Sequence, residues 1–230
     1  MNFIKTYFKD WTLFEKVWLL VFTILVIGLS LYWQDTLMGI ICSLTGIWCV
    51  VLVAKGRISN YWIGIVNVVL YAIISYGYQY YGEVMLNAFY FLPMQFIGAY
   101  IWIKNKKVGT KDSVKVKMLS NKYRIIWGVV SVIGVFGYGT FLKSIGGSMP
   151  YIDSMSTVLS VIAMMLMAWR FMEQWILWII VDVVTIILWV VVMMKGGNDI
   201  SILLCWIAYL VNAVYGTYNW IKMYKLQKVG

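Results

Sequence analysis

The stretch QWILWIIVDVVTIILWVVVMM, from Gln174 to Met194, is apolar almost throughout and carries a single acid near its centre, Asp182. At 1.5 Å per residue, a helix of this length crosses a hydrocarbon core of about 30 Å. A carboxylate at the centre of such a helix costs roughly 3 kcal/mol or more and usually marks a substrate or ion pathway. The stretch therefore predicts a membrane-spanning helix with a functional residue at mid-depth.

The rest of the chain has the same character, since 63% of its residues are hydrophobic and only 12% are charged. Mean hydropathy is +0.83. Continuous apolar runs, rather than ten-residue alternating strands, indicate an all-α polytopic membrane protein and argue against an outer-membrane barrel. The eight runs long enough to span are residues 17–33, 37–54, 60–78, 84–103, 125–142, 154–170, 174–194 and 200–221.

The net charge of +10 follows membrane topology and does not indicate a nucleic-acid partner. If both termini are cytoplasmic, eight helices leave only Lys143 and Lys195 of the 19 Lys and Arg residues outside. This satisfies the positive-inside rule at every cytoplasmic loop. We therefore expect an inner or plasma membrane protein whose basic linker, residues 104–124, is attracted to anionic lipid headgroups.

Residues for catalysis or metal binding are scarce. The chain has no histidine, and its three cysteines, Cys42, Cys49 and Cys205, lie in apolar runs where they serve as small hydrophobic residues. Apart from Asp182 the acids occur singly near helix ends, with no paired carboxylates and no P-loop. We expect no metal, no cofactor, no disulfide and no enzyme, an intramembrane enzyme being the main alternative class.

Internal similarity divides the chain into two units. IVNVV at residues 65–69 matches IVDVV at residues 180–184, and residues 98–104 match residues 216–222 at five of seven positions. Gly82 aligns with Gly197, and at the front RxxNxWI (57–63) parallels RxxExWI (170–176). Four matches in the same order predict two three-helix units, and one intervening helix gives both the same orientation.

The expected organisation has five parts. An N-terminal amphipathic stretch and extra helix occupy residues 1–34, and the first three-helix repeat occupies residues 35–104. A basic linker and linker helix follow in residues 105–150, then the second repeat in residues 151–222 and a tail in residues 223–230. Parallel repeats of this kind occur in SWEET transporters. We expect a SWEET-like parallel three-one-three repeat with one extra N-terminal helix.

Polar residues fall at mid-depth in both units, at Asn67, Gln95, Asp182 and Asn212. Amide side chains in a membrane can simply form hydrogen bonds between neighbouring helices. That role does not require a charge, so it does not account for Asp182. Trp178 lies one helical turn before Asp182, and an indole beside a carboxylate suits a flat cation. Amides suit hydroxyls or a carboxamide. The predicted guest is a small planar solute that is polyhydroxylated or amide-bearing.

These spacings resemble those of the bacterial nicotinamide riboside transporters of the PnuC family, over about residues 35–222. The motifs are NxWxGxxNxxLY (60–71), YGxxxxNxxYFxPxQxxGxxxW (81–102), DxxxT (153–157), RxxExWxxWxxxD (170–182) and NxxxGxxxW (212–220). The resemblance implies a homotrimer in the bacterial cytoplasmic membrane, with both termini cytoplasmic. It further implies facilitated uptake of nicotinamide riboside, which phosphorylation then traps inside the cell.

The resemblance also implies roles for individual residues. The substrate-binding positions would be Asn87, Gln95, Trp175, Trp178 and Asn212, and the pathway-lining positions Asn67, Asp182, Tyr90 and Tyr71. Many members have Asn at the position of Asp182, which leaves thiamine and riboflavin as alternative substrates. A pyridinium nucleoside explains the indole, the carboxylate and the amides together. Thiamine needs fewer amides, and riboflavin offers Asp182 no charged partner.

Overall fold

A computed structural model of the chain describes residues 8, 10–32, 36–77, 84, 86–106, 114–144, 150–194 and 200–229. Within these ranges lie eight helices, counting Leu86–Lys104 as one. They are α1 (Leu13–Tyr32), α2 (Leu37–Ala54), α3 (Asn60–Gly77), α4 (Leu86–Lys104), α5 (Asn121–Ser144), α6 (Pro150–Ala168), α7 (Gln174–Met194) and α8 (Ile200–Val229).

The helix bounds agree closely with the apolar runs. Helix α5 begins and ends further out than its run because its terminal residues are polar, and α8 continues through residues 223–229, where we expected a tail. Among the described residues, α2, α4, α5 and α6 are long and apolar enough to cross a membrane, and α3 and α7 contain shorter apolar helical stretches. The prediction of a mainly helical, multi-pass membrane protein is confirmed.

Helix α4 begins with a wide turn. Residues Leu86–Phe91 are π-helical, and the regular α-helix starts at Leu92 with Pro93 in its first turn. Proline lacks an amide hydrogen and is tolerated at the start of a regular helix, and π-turns occur frequently at functional sites. The π-turn that carries Asn87 therefore lies directly before Pro93.

Six of the described helices pack in a closed ring. Helix α2 packs on α3, α3 on α4, α4 on α6, α6 on α7, α7 on α8, and α8 returns to α2. Outside the ring, α1 packs on α2 and α8, and α5 packs on α6. The order in which the helices pack is the same in α1–α4, which we call the first half, and in α5–α8, which we call the second half. Helix α1 thus takes the place in the first half that α5 takes in the second.

Two turns at one end of the bundle share one backbone geometry. Gly56 and Arg170 both adopt the left-handed conformation, with φ of 64° and 67°. Glycine does so without a steric cost, whereas arginine does not. Each turn then closes with an amide-to-carbonyl bond of 2.8 Å across five residues, from Arg57 to Leu52 and from Phe171 to Leu166.

The matched turns correct the alignment at the front of the two units. Tyr61 N donates to Ile58 O, and Trp175 N donates to Met172 O, both at 3.1 Å, so Tyr61 corresponds to Trp175. The alignment of Trp62 with Trp175 is wrong by one residue. Trp62 is 52% exposed, whereas Tyr61 is 0% and Trp175 is 3% exposed. Burial and turn geometry set the register here, not the identity of the aromatic residue.

Residues 114–119 form a strap across these two turns. Val114 N donates to Gly56 O at 3.1 Å, Lys117 N donates to Arg170 O at 2.7 Å, and Met172 N donates back to Lys117 O at 2.9 Å. Burial lowers the pKa of Lys117, and the charge of Arg170 lowers it further. The strap, the two turns and the adjoining ends of α4 and α8 define what we call the basic end of the bundle.

A buried ion pair fixes α1 to this end. Glu15 is 2% exposed, and its Oε2 lies 2.7 Å from Lys55 Nζ. Tyr215 Oη of α8 donates to Glu15 Oε1 at 2.6 Å, while Thr12 and Glu15 exchange the two bonds of a capping box. In the second half, Arg124 Nε donates to Glu173 Oε1 at 2.9 Å. In each half, an ion pair therefore ties the flanking helix to the neighbouring turn.

Candidate functional site

The first polar cluster lies where α2, α3 and α8 meet. Asn67 Nδ2 donates to Cys42 O at 2.8 Å, and Asn212 Nδ2 donates to Val50 O at 2.9 Å. Gly46 lies between these two carbonyls in sequence. A Cβ built on Gly46 would meet Tyr209 Oη at 2.9 Å and Asn67 Nδ2 at 3.0 Å, so both groups approach the same point on α2. The structure thus brings Asn67 and Asn212, which belong to different halves, to one face of one helix.

Tyr209 was missed by the sequence reasoning. It lies three residues before Asn212 on α8, a spacing that places both on one helical face. The spacing was visible in the sequence, but the chain has 17 tyrosines, and tyrosines of membrane proteins are generally enriched at the membrane interfaces. Contact with Gly46 is what distinguishes Tyr209 from them.

The second polar position lies between α3 and α4. Gln95 is 5% exposed, and a Cβ on Gly64 would lie 2.6 Å from its Oε1, so the amide rests directly on the glycine. Gln95 Oε1 has no hydrogen-bond partner among the described residues. Gly64 precedes Asn67 by three residues, which puts Gln95 within one turn of the first cluster along α3. An unpartnered buried acceptor costs free energy and is suited to a ligand donor.

The π-turn region of α4 supplies two further predicted residues. Asn87 is buried, with 5% of its surface exposed. Tyr90 Oη donates to Val161 O at 2.6 Å and so bonds α4 of the first half to α6 of the second. Both residues therefore lie within the packed ring and do not face outward. Tyr71, predicted to line the pathway, is 42% exposed.

Asp182 is buried in α7, with 3% of its surface exposed. No hydrogen bond or ion pair joins its carboxylate to another residue in the described part of the chain. Trp178, one turn earlier, packs against the main buried cluster. The pair has the composition predicted for a cation site, and among the described residues the acid has no positively charged partner.

Trp175 lies further along α7, towards the basic end. Its ring packs on Gly216, where a Cβ would meet Trp175 Cη2 at 2.5 Å, and it contacts Trp220 edge to face at 5.9 Å between centroids. Trp175 Nε1 is buried and has no described hydrogen-bond partner. The structure thus separates Trp175 from the mid-depth amides and places it in an aromatic cluster.

Outside the ring, an open and largely apolar groove runs between α5, α6 and α7. Arg124 and Glu173 lie at one end of it, and it contains none of the predicted site residues. The described residues contain no group of three His, Cys, Asp or Glu side chains that could hold a metal ion. All nine predicted site residues lie instead on helices of the ring, α3, α4, α7 and α8.

A sequence model described as the nicotinamide mononucleotide transporter family matches residues 36–222, which include every predicted site residue. The chain belongs to this family. The match covers helices α2 to α7 and most of α8, and it leaves out α1.

Individual relatives agree with this assignment. This transporter is 40% identical over 222 residues to the nicotinamide riboside transporter PnuC of Neisseria mucosa, covering 95% of this chain and 84% of the relative. It is 36% identical to the protein of that name from Haemophilus influenzae, covering 96% and 95% of the two chains. A crystal structure of the vitamin B3 transporter PnuC superposes with a TM-score of 0.84 at 39% identity, covering 97% of each chain.

Proposed function

We propose that this transporter mediates facilitated uptake of nicotinamide riboside, which phosphorylation in the cytoplasm then traps. The observation that carries the proposal is the pairing of Asp182 and Trp178 on α7 in a chain 40% identical to a nicotinamide riboside transporter. The nicotinamide ring of this substrate is a flat cation. A carboxylate with no described cationic partner attracts such a ring by charge, and a neighbouring indole face adds cation-π attraction.

The amides account for the rest of the substrate. Gln95 offers an unpartnered Oε1, and Asn67 and Asn212 each use Nδ2 on an α2 carbonyl, which leaves their Oδ1 atoms for ligand hydroxyls or a carboxamide. We assign substrate binding to Asn87, Gln95, Trp178 and Asn212, with Asn67, Asp182, Tyr90 and Tyr71 along the pathway. Trp175 contacts substrate at the side of the site nearer the basic end.

Membrane orientation follows from charge. We place the basic end in the cytoplasm, since it holds the two turns, the strap and the ends of α4 and α8, and the positive-inside rule puts such loops there. The matched ring order supports a SWEET-like arrangement of two parallel three-helix units, with α1 and α5 as equivalent flanking helices. We further propose a homotrimer with one pathway in each protomer. Chemical crosslinking in the membrane tests this, since a ladder ending at three chains is expected.

Uptake into proteoliposomes tests the substrate. Purified protein is reconstituted, and entry of labelled nicotinamide riboside is compared with entry of labelled thiamine and riboflavin at equal concentration. We expect saturable uptake of nicotinamide riboside that unlabelled nicotinamide riboside abolishes. Thiamine is the second candidate because it is also a cation that Asp182 would attract. Faster uptake of thiamine would replace the proposed substrate, and uptake of none of the three would overturn the proposal.

A further inference from the structure

Four aromatic side chains form a continuous row at the basic end of the ring. Tyr61 contacts Trp102 edge to face at 5.1 Å, Trp102 lies 5.8 Å from Trp220, and Trp220 contacts Trp175 at 5.9 Å, all between ring centroids. Tyr61, Trp102 and Trp220 are 0% exposed, and Trp175 is 3% exposed. The row runs from α3 through α4 and α8 to α7, and so crosses from one half of the protein to the other.

Two hydrogen bonds hold the row across the boundary between the halves. Trp102 Nε1 of the first half donates to Met167 O of the second at 3.0 Å. Trp220 Nε1 of the second half donates to Val53 O of the first at 2.9 Å. Val53 and Met167 each precede their left-handed residue by three positions, so the two bonds are counterparts. Each half thus donates one indole hydrogen bond to the other, from equivalent positions on α4 and α8.

Two glycines provide the space for the outer rings. A Cβ on Gly98 would collide with the Tyr61 ring, and one on Gly216 would collide with the Trp175 ring. These are the matched glycines of the repeated GxYxWIK segment. Polar atoms beside the row have no described partner, namely Asn60 Oδ1, Tyr61 Oη, both amide atoms of Gln174 and Trp175 Nε1. Buried groups of this kind gain hydrogen bonds when water or a polar solute reaches them.

We propose that this row is the gate at the basic end and that the two indole-to-carbonyl bonds are its lock. The inference rests on the proposed passage of substrate between the two halves. A solute moving through the centre of the ring towards the basic end must separate the rings of the row. Because each bond joins opposite halves, separation of the halves at this end breaks both bonds together.

Substitution of the lock tests the proposal. Trp102→Phe and Trp220→Phe each remove the N–H donor and keep an aromatic ring. One hydrogen bond contributes about 1 kcal/mol, so each change should raise the open fraction about fivefold, and the two together about 25-fold. Tyr61 and Trp175, the two outer rings of the row, are left unchanged.

Opening is measured by thiol labelling and requires no substrate. In a chain carrying Cys42→Ala, Cys49→Ala and Cys205→Ala, the reporter is Ala213→Cys. Ala213 is 2% exposed and lies two helical turns behind Trp220 on α8. A membrane-impermeant maleimide is added to inside-out vesicles, which present the basic end. We expect the labelling rate to rise about fivefold in each single Phe variant and about 25-fold in the double variant.

The control is Trp127→Phe on α5, outside the ring, where the ring contacts Trp169 at 6.2 Å. Its labelling rate should not change. Unchanged labelling in both lock variants, or an equal rise in the control, would overturn the gate. If a lock variant fails to fold, Gly216→Ala replaces it, since the added methyl displaces Trp175 and should also raise labelling. Loss of nicotinamide riboside uptake with a normal labelling response would reject the substrate and leave the gate standing.

Discussion

Asp182 combines deep burial with the absence of any described partner, a combination that a purely structural role does not explain. A carboxylate that served only to pack helices would find a donor within the bundle, as Glu15 and Glu173 do. Its neighbour Trp178 packs on the buried core and so holds its ring in a fixed place. At the scale of single residues, the proposed cation site is therefore a packed indole beside an acid with no described partner.

Asp182→Asn keeps the size of the side chain and removes its charge. We expect affinity for nicotinamide riboside to fall about tenfold, equal to about 1.4 kcal/mol, because the cationic ring loses its counter-charge. Isothermal titration of the purified protein measures this. Asp10→Asn, an exposed acid before α1, is the control and should bind normally. Unchanged affinity in Asp182→Asn would make the residue structural.

Gly46 is the residue on which the two halves share a polar cluster. Gly46→Ala should lower nicotinamide riboside uptake severalfold, since its methyl would press on Tyr209 Oη and Asn67 Nδ2, which lie 2.9 and 3.0 Å from the Cβ position. Gly28→Ala on α1 is the matched control, because no atom lies within 4 Å of its Cβ position. Both changes favour the helix by up to about 1 kcal/mol. Equal uptake in the two variants would contradict a role for the cluster.

At the scale of elements, the apolar runs predicted the helices well because each run needs about 20 residues to cross the membrane and ends at polar residues. Two features escaped this reasoning. The register of the turns depends on the left-handed residues Gly56 and Arg170, and φ cannot be inferred for an arginine from its identity. The packing of α1 on the bundle depends on the ion pair of Glu15 with Lys55, and nothing in the sequence pattern pairs two charges 40 residues apart.

The α1 docking contact predicts a stability difference between two ion pairs. Lys55→Met leaves Glu15 buried without its counter-charge and should destabilise the protein by about 3 kcal/mol or more. The pair of Arg57 with Asp10 joins a 57% exposed carboxylate, so Arg57→Met should cost less than about 1 kcal/mol. Thermal unfolding in detergent compares the two. Adding Glu15→Gln to Lys55→Met should recover part of the loss, and a further loss would contradict this reading.

At the scale of the whole molecule, the two halves are joined by more than chain connectivity. Helices α4 and α6 pack together, as do α8 and α2, and the indole bonds cross in both directions. The strap adds backbone bonds to both turns, with Val114 on Gly56 and Lys117 on Arg170. None of this pairing is local in sequence, so the apolar pattern and the repeat indicated two units but not the strap between them.

A split chain tests whether these contacts are sufficient. Residues 1–110 and 111–230, expressed together, should co-purify through a tag on one fragment and take up nicotinamide riboside, because the cut breaks none of the described contacts. The matched control pairs residues 1–110 with 120–230 and so removes the strap. Without it, Gly56 O and Arg170 O each lose an amide donor, and Glu173 loses the Leu119 amide that donates to it at 3.1 Å. We expect several-fold less co-purified fragment in the control. Equal recovery of both pairs would show that helix packing alone joins the halves, and failure of both would show that the covalent linker is required.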